Sequence, residues 1–145
     1  MYFVDREKIE EKLVYLENQI TLFSTREAWT TPIEVAALER ITHIMIEVVL
    51  DVGNTMIDGF IMRDPGSYDD IVEILIDEKV ITNETGKTLK MLIQYRKMLV
   101  QTYTEIDHSA LQTDFSNHIQ EFTLFIKNVR DYLVNELGPV SAFKN

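Results

Sequence analysis

Arg96 stands in the stretch YRKMLVQTYTEID, residues 95–107, among side chains that pattern as the buried face of a helix. On a helical wheel of about 100° per residue, Leu89, Leu92, Ile93, Leu99, Val100 and Tyr103 share one sector, and Arg96 lies in its middle. A guanidinium is always charged, and its planar fork of donors matches a carboxylate or a phosphate. Burying it without a partner is costly; breaking a buried pair costs about 3–5 kcal/mol. The second helix expected in the chain offers counter-charges. There Arg40, Glu47, Asp51, Asn54 and Asp58 form a narrow polar stripe with His43 at its edge, on a helix that is otherwise apolar. If the two helices are neighbours, Arg96 meets Glu47, Asp51 or Asp58, and the cluster can grip an anion. The competing reading is a solvated edge, with Arg96 running its aliphatic stem out to water. A second apolar sector of the Arg96 helix, Met91, Tyr95 and Met98, predicts a subunit interface and hence a homodimer, because one core cannot use both sectors.

These residues need a scaffold, and the composition describes one. The chain has 145 residues, 46% of them hydrophobic, which suits a single domain over 1–145 with one core. Five glycines and three prolines leave little room for hairpin turns. The absence of cysteine fits a reducing compartment. The N-terminus turns charged at once, unlike a signal peptide, and no stretch reads as a membrane span, so a cytoplasmic location is expected. A net charge of −10 argues against coating nucleic acid through the overall field, while leaving open an enzyme that meets RNA at one local site.

Apolar residues at Ile9, Leu13, Leu16, Ile20 and Phe23 recur with a helical period. Thr31, Pro32 and Glu34 spell a helix start with a capping box, and that helix runs to about Phe60. Ser67 caps a short helix, Thr82 starts a fourth that continues through Ile106, and Asp107 or Ser109 caps a last one stopped by Gly138-Pro139 before a short tail. The expectation is an all-α, up-and-down bundle of about five helices. There is no G-x-G-x-x-G, P-loop or H-E-x-x-H. The acid stripe lacks the Glu-x-x-His pattern of di-metal bundles, so neither metal nor cofactor is expected.

The eight residues RKMLVQTY, Arg96–Tyr103, resemble the R-x4-H-x-Y motif of the HEPN superfamily, and of its HepT-like proteins in particular. The resemblance extends to LERITHIMIEVVLDVGNTMID (38–58), which is similar to that family's second helix, and to PGSYDDIVEILIDEKVIT (65–82), similar to its short helix. It implies a dimeric helical bundle with the motif helices near the dimer axis. Active members are metal-independent endoribonucleases, and HepT-like toxins are silenced by a nucleotidyltransferase antitoxin that attaches AMP to the motif Tyr. Carried over by position, Arg96 binds the phosphate, Tyr103 is the AMP acceptor, and Glu47 or Asp51 is the supporting acid. The motif His falls on Gln101, which hydrogen-bonds but carries no proton. General acid–base help is worth about 10²–10⁴ in rate, so the resemblance implies an attenuated nuclease. The alternative is an inactive bundle that binds nucleotide or RNA, or serves as a dimeric scaffold. None of His43, His108 and His118 occupies the motif position; each is read as surface or cap chemistry.

Overall fold

The computed structural model describes residues 3–138. They form six helical segments: α1 (Arg6–Phe23), α2 (Pro32–Gly59), α3 (Tyr68–Asp77), α4 (Asn83–Ile93), α5 (Tyr95–Val100) and α6 (His108–Leu137). No strand occurs among the described residues. Gln94, between α4 and α5, keeps helical torsions (φ −59°, ψ −26°), so the two continue as one rod. Counted that way, the bundle has the five helices expected.

The helix starts lie where local chemistry puts them. Thr31 and Glu34 form the capping box of α2, with Pro32 in its first turn. Backbone N–H groups of Thr31 and Thr30 donate to the Glu34 carboxylate and hold its pKa down to about 2. Ser67, Thr82 and Asp107 accept from the first turns of α3, α4 and α6. Gly138 ends α6 with φ 82°, a left-handed value that glycine adopts without strain. Pro139 and the tail after it lie outside the described residues.

The centre of the fold is α2, which packs against α1, α3, α5 and α6. Leu38, Met45, Ile46, Val49, Val52 and Met56 are fully buried along it. Its polar edge is solvated: Arg40, Asp51, Asn54 and Asp58 are exposed. Glycines let neighbouring helices approach. A Cβ on Gly53 would stand 2.6 Å from Ile71 Cγ2 of α3, and one on Gly86 of α4 would stand 2.6 Å from Ile76 Cγ1.

The last helix is tied to the first. Arg130 donates to both Glu10 and Glu17 over distances of 2.6–3.1 Å. These bonds raise the Arg130 pKa and lower that of Glu17. Arg6 Nη1 donates to the Gly138 carbonyl at 2.8 Å. Trp29, in the loop after α1, is buried and stacks on Phe23, closing that end of the core. Midway along α6, His118 leaves helical torsions (φ −121°, ψ 16°) and kinks the helix.

Candidate functional site

Arg96 and Glu47 meet between α5 and α2. The Arg96 Nε–H donates to Glu47 Oε1 at 2.5 Å, with side chains 24% and 27% exposed. The pair is half-buried: covered enough to be held, open enough to be reached. The hydrogen bond to Glu47 raises the Arg96 pKa, against the opposing effect of burial. Tyr68, the first residue of α3, lays its ring 4.6 Å from the guanidinium carbon. Among the described residues the only hydrogen bond of the guanidinium is the one at Nε. The fork formed by Nη1 and Nη2 therefore remains uncommitted.

A charged row runs along α2 at one-turn spacing: Glu39, His43, Glu47 and Asp51. Glu39 pairs with His108 Nε2 of α6 at 2.7 Å. His43 Nε2 lies 3.3 Å from Glu47 Oε1, the same oxygen that receives Arg96. Asp51 takes Lys12 of α1 at 3.3 Å and adds to the field that raises the Arg96 pKa. Of the three acids expected as partners, Glu47 is the one that bonds Arg96. Asp51 is a more distant influence, and Asp58 is exposed about two turns farther along.

Two expectations about the motif helix need correction. The first is its length: α5 ends at Val100, not at Ile106. Gln101 still donates its N–H to the Lys97 carbonyl at 2.8 Å, but Thr102–Glu105 turn away. Residues 101–105 are all exposed. With no apolar face to bury, nothing offsets the weak helix propensity of Thr102 and Thr104. Tyr103, placed by the wheel in the buried sector, is 65% exposed. Gln101 stands at the rim, past the helix end, with no bond to Arg96.

The second correction concerns Met91, Tyr95 and Met98. Met91 and Tyr95 pack against the core of their own chain. The Tyr95 ring meets Phe115 edge-on, and its hydroxyl donates to Asp114. Burial, then Asp114, push the Tyr95 pKa up to about 12. Only Met98 of this sector lacks a place in that core. The arrival of α6 uses Met91 and Tyr95 of this sector internally.

Tyr68 was not foreseen as part of the site. Its sequence signal ends with the Ser67 cap; nothing local tells which way the next ring points. A cavity of 500 Å³ lies elsewhere, lined by Lys79, Asn83, Asn128 and Asn135, and none of the motif residues reaches it. Among the described residues no three His, Asp or Glu side chains converge as a metal site requires, and no helix is long and apolar enough to cross a membrane.

Residues 9–129 match the family described as Ribonuclease HepT-like. A Bacillus subtilis (strain 168) protein named "Putative RNase YutE" is 55% identical over 144 residues, covering 99% of this chain and all of that one. A structure of YutE from Bacillus subtilis, described as a cytosolic protein of unknown function, superposes with a TM-score of 0.95 at 54% identity, over 98% of this chain and 99% of that one. The tri-AMPylated HEPN toxin of Shewanella oneidensis, solved in complex with an MNT antitoxin, shares the fold at 17% identity. Its TM-score is 0.77, over 85% of this chain and 96% of that one.

Proposed function

The chain belongs to the HepT-like ribonuclease family, and on that premise we propose that it is a cytoplasmic, metal-independent endoribonuclease toxin held in check by a nucleotidyltransferase antitoxin. The observation that carries this is Arg96. Its Nε is fixed by Glu47, which leaves the Nη1/Nη2 fork for a phosphate. A guanidinium held this way offsets the charge that builds on phosphorus as the backbone is cut. In this reading Glu47 positions Arg96, Asp51 adds to the acidic field behind it, and Gln101 contributes hydrogen bonds to the strand from the rim. Tyr103 is the acceptor for AMP, and its exposure gives a modifying enzyme access. A homodimer belongs to the same proposal. Its contact is centred on Met98, which is half-buried and outside the core of its own chain, with the exposed Val100 beside it.

Gln101 favours a second reading, an inactive site that binds RNA or a nucleotide, or a dimeric scaffold, because its side chain cannot move a proton. One experiment separates them. Native protein and Arg96→Ala are tested for binding of a mixed single-stranded RNA and for its cleavage in chelator. Binding and cleavage that both fall away in Arg96→Ala support the nuclease. Native protein that binds through Arg96 but never cuts supports the second reading. Equal binding by both proteins removes Arg96 from the site.

A further inference from the structure

We infer that His43, on α2, is the proton carrier of this site, in the role Gln101 cannot fill; the inference rests on the assignment of Arg96 to the RNA phosphate. Position is the first ground. His43 Nε2 and Arg96 Nε face one oxygen, Glu47 Oε1, at 3.3 and 2.5 Å, so they are no farther apart than those two contacts laid end to end. A phosphate held by the guanidinium fork brings its neighbouring ribose within reach of the imidazole.

Access and freedom are the second and third. The His43 side chain is 28% exposed, close to the 24% of Arg96, so a substrate that reaches one reaches the other. Its contact with Glu47 is longer than the usual 2.9–3.0 Å of a hydrogen bond to nitrogen. His108, by contrast, is engaged by Glu39 at 2.7 Å, and His118 stands at the kink of α6. The backbone carrying His43 is rigid, because Thr42, Met45 and Ile46 around it are fully buried. The charged groups nearest the ring are Glu47 on α2 and Arg96 from α5; Glu39 and Arg40 lie one turn back along α2, Glu39 bonded to His108 of α6, and Lys12 of α1 is held by Asp51, two turns along.

The step balances without a metal or a redox partner. Neutral His43 takes the proton of the ribose 2′-hydroxyl on the ring nitrogen not turned toward Glu47. The 2′-oxygen bonds to phosphorus as the bond from phosphorus to the 5′-oxygen breaks, and the 5′-oxygen takes a proton from water. The products are a 2′,3′-cyclic phosphate and a 5′-hydroxyl. The imidazolium then returns its proton to solvent.

The test uses full-length native protein, His43→Gln, His43→Ala, Arg96→Ala and His118→Gln. Each is assayed on single-stranded RNA over a pH series spanning imidazole titration, and for binding of an all-deoxy strand of the same sequence, which cannot be cut this way. The native rate should climb with pH as imidazole loses its proton, and then level. His43→Gln should cut about 10²- to 10⁴-fold more slowly with that pH step gone, while its affinity for the deoxy strand stays within about threefold, well under 1 kcal/mol. His43→Ala should match it, and His118→Gln should behave as native. A His43→Gln protein with native rate and pH profile overturns the inference and leaves the nuclease reading standing. So does a variant that loses affinity as much as rate, since that marks a structural role. A native protein that binds the deoxy strand through Arg96 and cuts no RNA overturns the nuclease reading and this inference with it.

Discussion

Glu47→Ala removes the one carboxylate that Arg96 bonds. The exposures of the two side chains, 24% and 27%, place the pair between two limits. An exposed ion pair contributes at most about 1 kcal/mol, and breaking a fully buried one costs about 3–5. The charge-assisted bond at Nε is worth about 1.5–3 by itself. After the substitution Arg96 keeps Tyr68 at 4.6 Å, a contact of about 0.5–1 kcal/mol, and can still reach water. A loss of about 1.5–2.5 kcal/mol follows, or some 3–10 °C in Tm at about 2–4 °C per kcal/mol for a chain of this size. Arg96→Ala should cost a similar amount. The double variant should then be more stable than additivity predicts by about 1–2 kcal/mol, because the second change removes a partner already alone. Urea unfolding of the four proteins gives the cycle. Singles that add to within about 0.3–0.5 kcal/mol would mean that the pair is no unit in solution, and the fixed Arg96 fork would lose its basis.

Tyr95→Phe should lower stability by about 1–2 kcal/mol near neutral pH by removing the hydroxyl that donates to Asp114. Because the folded phenol titrates near 12 rather than 10, that advantage is full below pH 10 and fades as pH rises to about 12, so the unfolding midpoints of the two proteins should converge there. Gly86→Ala should destabilise by about 1–3 kcal/mol despite its better helix propensity, since its Cβ runs into Ile76. The same change in an Ile76→Ala background should cost far less in a thermal melt. Glu34→Gln should lower Tm at neutral pH. Its carboxylate titrates near 2 when folded and near 4.5 when not, so the gap should shrink as pH falls below 4.5 and close by about 2.

Much of this fold is written in short-range chemistry, and that part was legible. Thr31, Ser67, Thr82, Asp107 and Gly138 mark helix ends through bonds spanning a turn or less, and such signals survive in a bare string of residues. The Arg96–Glu47 pair was legible for another reason. A charge in an apolar sector demands a partner, and few were on offer. What escaped depends on encounters between distant segments. Tyr68 covers Arg96 from 28 positions away, and its ring direction is set by how α3 lies on α2. Tyr95 turned inward because α6 supplied Asp114 and Phe115. Residues 101–105 carry no glycine or proline to announce a helix end; they unwind because nothing covers them. His43 looked like an isolated surface histidine until the structure placed it on the oxygen that holds Arg96.

The clamp of Arg130 on Glu10 and Glu17, with Arg6 on the Gly138 carbonyl, bears on how the chain is born. These bonds close loops of 113–132 residues. α1 is made well before α6, the helix that covers its flank, and until α6 follows Ile9, Leu13 and Leu16 rest chiefly on α2. The entropy of closing such loops rises slowly with length, about 0.6 kcal/mol for each doubling, so the delay is more a matter of timing than of thermodynamic burden. The partly made chain therefore presents an unfinished apolar seam until α6 is in place, and the Arg96 cleft is backed by its full scaffold only from then on.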